Sequence, residues 1–247
     1  MPVLRALLLL IALLSPAFGQ DGPQSAADAK DAAQAMQLYL GDVAKAGGRP
    51  DYTRPPASEL FHRVFDLTQL TALPPTTAAD TGWLIQWFTA ASLVNKSIIY
   101  FDSHPGPNPD DIAVVRNLKE YENQYVSAMN FMIRLAAREA TALTLFLEQL
   151  TPEQRTPVRE AGLLKARGGA AELLASSIGV VTQGITPDHA RLMSAALKDT
   201  RNVWATYLLP DDRRQIIGYL TKAIGMIGDD GVKGNLAAVT DTLTAAK

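Results

Sequence analysis

Residues 110–150 read DDIAVVRNLKEYENQYVSAMNFMIRLAAREATALTLFLEQL, with no proline and no glycine. Leu118, Tyr125, Met129, Met132, Ala136, Leu143, Leu147 and Leu150 recur at three- and four-residue intervals, the spacing of one face of an α-helix. At about 1.5 Å per residue a single helix over this stretch would be about 60 Å long. That exceeds a compact bundle of short helices, so the pattern predicts a central spine, straight or kinked. Asn130, Arg134, Arg138 and Glu139 are read as its wetter side. Glu122 and Glu139 interrupt the apolar seam, which weighs against a coiled-coil dimer.

Outward from this segment the chain is punctuated by proline and glycine. Gly47-Gly48-Arg49-Pro50 and Arg54-Pro55-Pro56 bound a linker, and Leu73-Pro74-Pro75 and His104-Pro105-Gly106-Pro107-Asn108-Pro109 are further breaks. Proline lacks the amide donor that a helix interior needs. Between the breaks the pattern is again helical. Residues 24–46 are rich in alanine and other helix formers. In 57–72, Leu60, Phe61, Val64, Phe65 and Leu67 keep helical spacing. In 77–102, Trp83, Leu84, Trp87, Ala91, Val94 and Ile98 do the same. No segment sustains the period-2 alternation of a strand.

Three later helix starts share a form: Thr151-Pro152-Glu153, Thr186-Pro187-Asp188 and Leu209-Pro210-Asp211. Threonine can cap free backbone amides, proline suits the first helical position, and the acid meets the positive end of the helix dipole. A helix over 152–183 is expected to be interrupted at Gly168-Gly169. The helix carrying Ile216, Leu220 and Ile224 is expected to end near Gly228, with a short last helix beyond Gly231 and Gly234. The expected fold is all-α, a bundle of about seven to eight helices with one long central helix. It forms a single domain over 20–247, with a division near 103–109 as the alternative.

The N-terminus reads as an export signal. In residues 1–19, MPVLRALLLLIALLSPAFG, Arg5 precedes a short apolar run, Ser15-Pro16 breaks it, and Ala17-Phe18-Gly19 offers small residues to a signal peptidase. Cleavage is expected between Gly19 and Gln20. A periplasmic or secreted location follows. Asn95 and Lys96 argue against a membrane span in the mature chain, because they would lie deep in hydrocarbon.

Composition narrows the function. The 247 residues include no cysteine, which excludes a disulfide framework, a thiolate metal site and a cysteine nucleophile. Formal net charge is −2, with 23 Lys+Arg against 25 Asp+Glu, so the basic excess of a nucleic-acid-binding domain is missing. The chain has no Gly-x-Ser-x-Gly, no Ser-x-x-Lys, no phosphate-binding glycine loop and no His-Glu-x-x-His. Glu59 and His62 share one face of a predicted helix, half of a ferritin-like metal motif. No second Glu-x-x-His accompanies them, and a surface pair is the expectation. His104 falls in a loop, and His189 follows Pro187-Asp188. Asp229-Asp230-Gly231 is read as a polar turn. Trp83, Trp87, Phe88, Tyr100 and Phe101 form the densest aromatic cluster, expected mainly as core, with a ligand cavity or partner groove as the other reading.

Leu150-Thr151-Pro152-Glu153-Gln154 resembles the Leu-Thr-x-x-Gln pattern of the Spy/CpxP family of small periplasmic chaperones. The resemblance covers five residues and occurs once, where the family pattern occurs twice. It implies an all-helical exported protein that binds unfolded clients. A helix start accounts for the same residues. The sequence therefore points to an exported, non-catalytic binding or structural protein of the bacterial cell envelope. Its expected partner is a protein or envelope component, with no cofactor. A chaperone-like client binder and a metal-binding bundle on Glu59 and His62 are the alternatives.

Overall fold

A computed structural model describes residues 22–101, 103 and 111–246. The export stretch 1–19, the Gly19–Gln20 junction, His104 and the run 105–109 lie outside the described residues. Within them the chain is helical with no strand: α1 Gln24–Lys45, α2 Ala57–Val64, α3 Leu67–Ala72, α4 Thr81–Ile99, α5 Asp111–Glu120, α6 Glu122–Glu148, α7 Pro157–Thr182, α8 Pro187–Tyr207, α9 Pro210–Met226 and α10 Asp230–Ala245. Short 3-10 turns at Ala78–Asp80 and Pro152–Gln154 complete the order. The fold is the expected all-α bundle, with more helices than the seven to eight expected. Two stretches read as single helices are each divided.

The first division is at Phe65 and Asp66. Asp66 takes an extended backbone and its carboxylate accepts from the Gln69 amide at 3.0 Å, so a new helix starts within 57–72. The second is at Tyr121, where φ −109° and ψ 31° kink the spine. The hydrogen-bond ladder runs on through the kink, from Tyr121 N to Asn117 O and from Tyr125 N to Tyr121 O, both 2.9 Å. Side chains from distant segments hold the bend. Arg49, in the linker after α1, donates to Glu120 at 2.9 Å and to Asn117 at 2.8 Å. Its guanidinium lies 5.4 Å from the Tyr121 ring centroid, and Tyr52 packs edge-on against Tyr121 at 5.1 Å. Asn117 in turn donates to the carbonyls of Ile99 and Phe101, at 3.0 and 2.6 Å, which terminates α4.

Helix α6 is the spine. It packs against α4 on one side and α8 on the other; α1 and α2 extend the first side, and α10 covers α8. Because it is flanked on both sides, it is buried nearly all round, and Phe131, Ile133 and Leu135 are fully enclosed. The expected wet side is therefore only half present. Asn130 and Glu139 are buried. Arg134 and Arg138 reach outward: Arg134 pairs with Asp199 of α8 at 2.7 Å, and Arg138 donates to the carbonyls of Leu73 and Pro74 at 3.0 and 2.9 Å. The second contact fixes the Leu73-Pro74-Pro75 break onto the spine.

The C-terminal half departs from expectation at three points. Thr151 to Gln154 form only a 3-10 turn, closed by the Gln154 side chain accepting from Thr151 N at 3.0 Å. The α-helix starts five residues later, at Pro157, and Thr156 caps it by accepting from Arg159 N at 3.4 Å. That helix runs unbroken through Gly168-Gly169, because packing against α8 and α9 supports it. It ends at Thr182, and Gly184, two residues on, takes a φ of 79° that suits a residue without Cβ. The last helix is not short. Gly231 and Gly234 sit inside its first turns, and Asp229 caps it, accepting from Val232 N at 2.9 Å. Thr186 makes no side-chain cap; Glu122, at the start of α6, accepts from its amide at 2.8 Å instead.

One continuous cluster of buried apolar side chains extends from Ala26 to Leu243. With no cysteine to cross-link it, this core carries the stability of the fold.

Candidate functional site

The described helices leave a large opening in this packing. A cavity of about 950 Å³ lies between α4, α5, α6 and α7. Each helix presents one face to it. On α4, Phe88, Ser92, Asn95, Lys96 and Ile99 fall at helical spacing, and on α6, Tyr125, Met129 and Met132 do so. Val114 and Leu118 come from α5. Most of this surface is apolar, as a small-molecule site requires.

Helix α7 explains why the space is not filled. Its facing residues include Gly169, Ser176 and Gly179 where a core helix would carry leucine. A Cβ built on Gly179 meets no atom within 4 Å. The helix leans on α8 and α9, and its contact with α6 is slight. Of the two glycines read as a helix break, Gly169 thus lines the cavity, and the helix stays intact.

Polar groups are few and graded by depth. Asn95 is the deepest, 6% exposed. Its Nδ2 donates to Met129 Sδ at 3.6 Å, and its Oδ1 has no hydrogen-bond partner. An unsatisfied buried acceptor costs roughly 1–3 kcal/mol, and Asn95 Oδ1 is itself closed to solvent. Ser92 is also buried, and burial raises the Tyr125 hydroxyl to about 12. Lys96 is half-buried. Desolvation holds its ammonium below the ordinary lysine value, and Glu172 on α7 opposes that shift. Neither the Lys96 nor the Glu172 side chain forms an ion pair or hydrogen bond among the described residues. Glu172, Ser176, Gln183 and Tyr100 are exposed at the rim.

A second, smaller recess of about 30 Å³ adjoins the cavity, sharing Phe88, Gly169 and Leu173 with it. Glu139 lies in its wall, and burial alone raises this carboxyl to about 8. It is protonated at neutral pH. Tyr207 lies in the same wall, and Arg167 stacks on the Tyr207 ring at 5.5 Å.

The residues singled out from sequence fall elsewhere or divide. Glu59 and His62 are exposed on α2, and His62 Nε2 lies 3.7 Å from Asp66 Oδ2. Among the described residues no group of three or more His, Asp or Glu gathers as a metal site. His189 is paired through Nδ1 with Glu122 at 2.5 Å, a contact that pins α8 to the start of α6. The aromatic cluster splits. Trp87 is core, 0% exposed, with Nε1 donating to Val64 O at 3.0 Å. Trp83 is half-buried and donates to Asp80 at 3.0 Å. Phe88 and Tyr100 line the cavity. Asn95 and Lys96, noticed only as obstacles to a membrane span, belong to the cavity face of α4. No described helix is long and apolar enough to cross a membrane.

Compared with models of protein families, with curated proteins and with solved structures, the chain matches none.

Proposed function

We propose that the chain is an exported, non-catalytic binding protein of the bacterial cell envelope that holds a small, mostly apolar ligand between α4, α5, α6 and α7. The observation that carries this reading is the 950 Å³ cavity, open to solvent and walled mostly by apolar side chains. Its size falls within the range of roughly 300–1,000 Å³ typical of small-molecule sites. The order of charge, apolar run, breaker and small residues in 1–19 supports export. Titration with the uncharged fluorophore N-phenyl-1-naphthylamine tests the binding reading. Saturable binding of one molecule per chain, abolished by Gly179→Leu with the fold retained, is the expected result. Absence of saturable binding, or equal binding by Gly179→Leu, would overturn it.

A client-binding role is the second reading. It rests on Ile112 and Val115, 81% and 65% exposed on α5. It requires suppressed aggregation of an unfolded protein at equimolar ratio, and loss of that suppression in Ile112→Ser/Val115→Ser.

A further inference from the structure

The charges at the mouth of the cavity select among apolar ligands. Among the described residues, Lys96 on α4 is its only cationic lining residue and Glu172 on α7 its only acid. They interact through space but do not close an ion pair with each other or with any other described group. A ligand with a single negative head would gain from Lys96 and be repelled by Glu172. A single positive head would meet the reverse. A head carrying both signs matches both residues at once. The remaining walls are mostly apolar, with Phe88, Met129 and Met132 among them. Methionine adapts its shape to a flexible chain.

Resting on the cavity reading above, we infer that the ligand is a single-chain zwitterionic amphiphile of the lysophospholipid class. Its phosphate lies at Lys96, its ammonium at Glu172, and its acyl chain lies on the apolar walls that Phe88, Met129 and Met132 supply. No covalent step is involved.

The test is calorimetric titration of the full mature chain with four ligands of equal twelve-carbon chain length, each below its micellar concentration. They are lauroyl lysophosphatidylethanolamine, laurate, dodecyltrimethylammonium and monolauroylglycerol. The lysophospholipid is expected to bind tightest. Lys96→Gln and Glu172→Gln should each weaken it about fivefold, the scale of a partly exposed ion pair, while leaving monolauroylglycerol unchanged. Tightest binding by laurate or by the cation, or indifference to both charge variants, would overturn the ligand class and leave the cavity reading standing. Failure of all four to bind would overturn both.

Discussion

Glu139 is the residue whose chemistry is most at odds with its surroundings. Burial in the wall beside the cavity raises its carboxyl to about 8, from an ordinary value near 4.5. The Glu139 carboxylate in turn raises the Tyr207 hydroxyl of α8, which Arg167 of α7 lowers. The folded state therefore binds more protons than the unfolded state between these two values. Stability is highest below the unfolded value and falls as pH rises toward 8, by on the order of 4 kcal/mol in total. Glu122, Asp229 and Glu120 shift the other way, so their contributions are lost only in acid. Thermal melts between pH 5 and 9 should show wild-type Tm falling across this range. Glu139→Gln should flatten the profile and melt higher than wild type at pH 8. A profile identical to wild type would remove the buried acid from this role. From sequence, Glu139 read as a wet-side residue of the spine, because periodicity reports one helix face and cannot show that neighbours cover both.

At the scale of elements, the proline and glycine breaks were legible and most helices begin and end where those breaks place them. The boundaries that were not legible depend on partners far along the chain. The kink at Tyr121 has no local cause; it depends on Arg49 and on Asn117, which ties α5 to the end of α4. Asn117→Ala leaves two buried carbonyls without a donor and should cost about 2 kcal/mol. It should also loosen α5 as a wall of the cavity, read as faster amide exchange over residues 111–120. In α7 the error ran the opposite way. Gly168-Gly169 marks an expected break, yet neighbouring helices hold the backbone helical. Gly179 faces open space. Gly179→Ala should therefore stabilise the protein by about 0.5–1 kcal/mol through helix propensity, measured by chemical denaturation. A loss of stability would mean that the space is closed in solution. Asn95 and Lys96 stood out in the sequence, and the small residues of α7 keep helical spacing. What a single sequence could not supply is that these two faces oppose each other.

At the scale of the molecule, one continuous core supports the bundle, and along α7 a cavity sits beside a protonated acid. Export, an interior ligand site and the absence of a recognisable catalytic motif make one coherent proposal. The most direct measurement is native mass spectrometry of wild type and Gly179→Leu, each expressed with its own N-terminus and purified from a bacterial periplasm. The expected wild-type spectrum has a chain beginning at Gln20 that carries one retained small molecule. The expected variant spectrum has the same chain without it. A wild-type chain that carries nothing, even after incubation with lysophospholipid, or a variant that carries the same adduct, would contradict the cavity as the functional site.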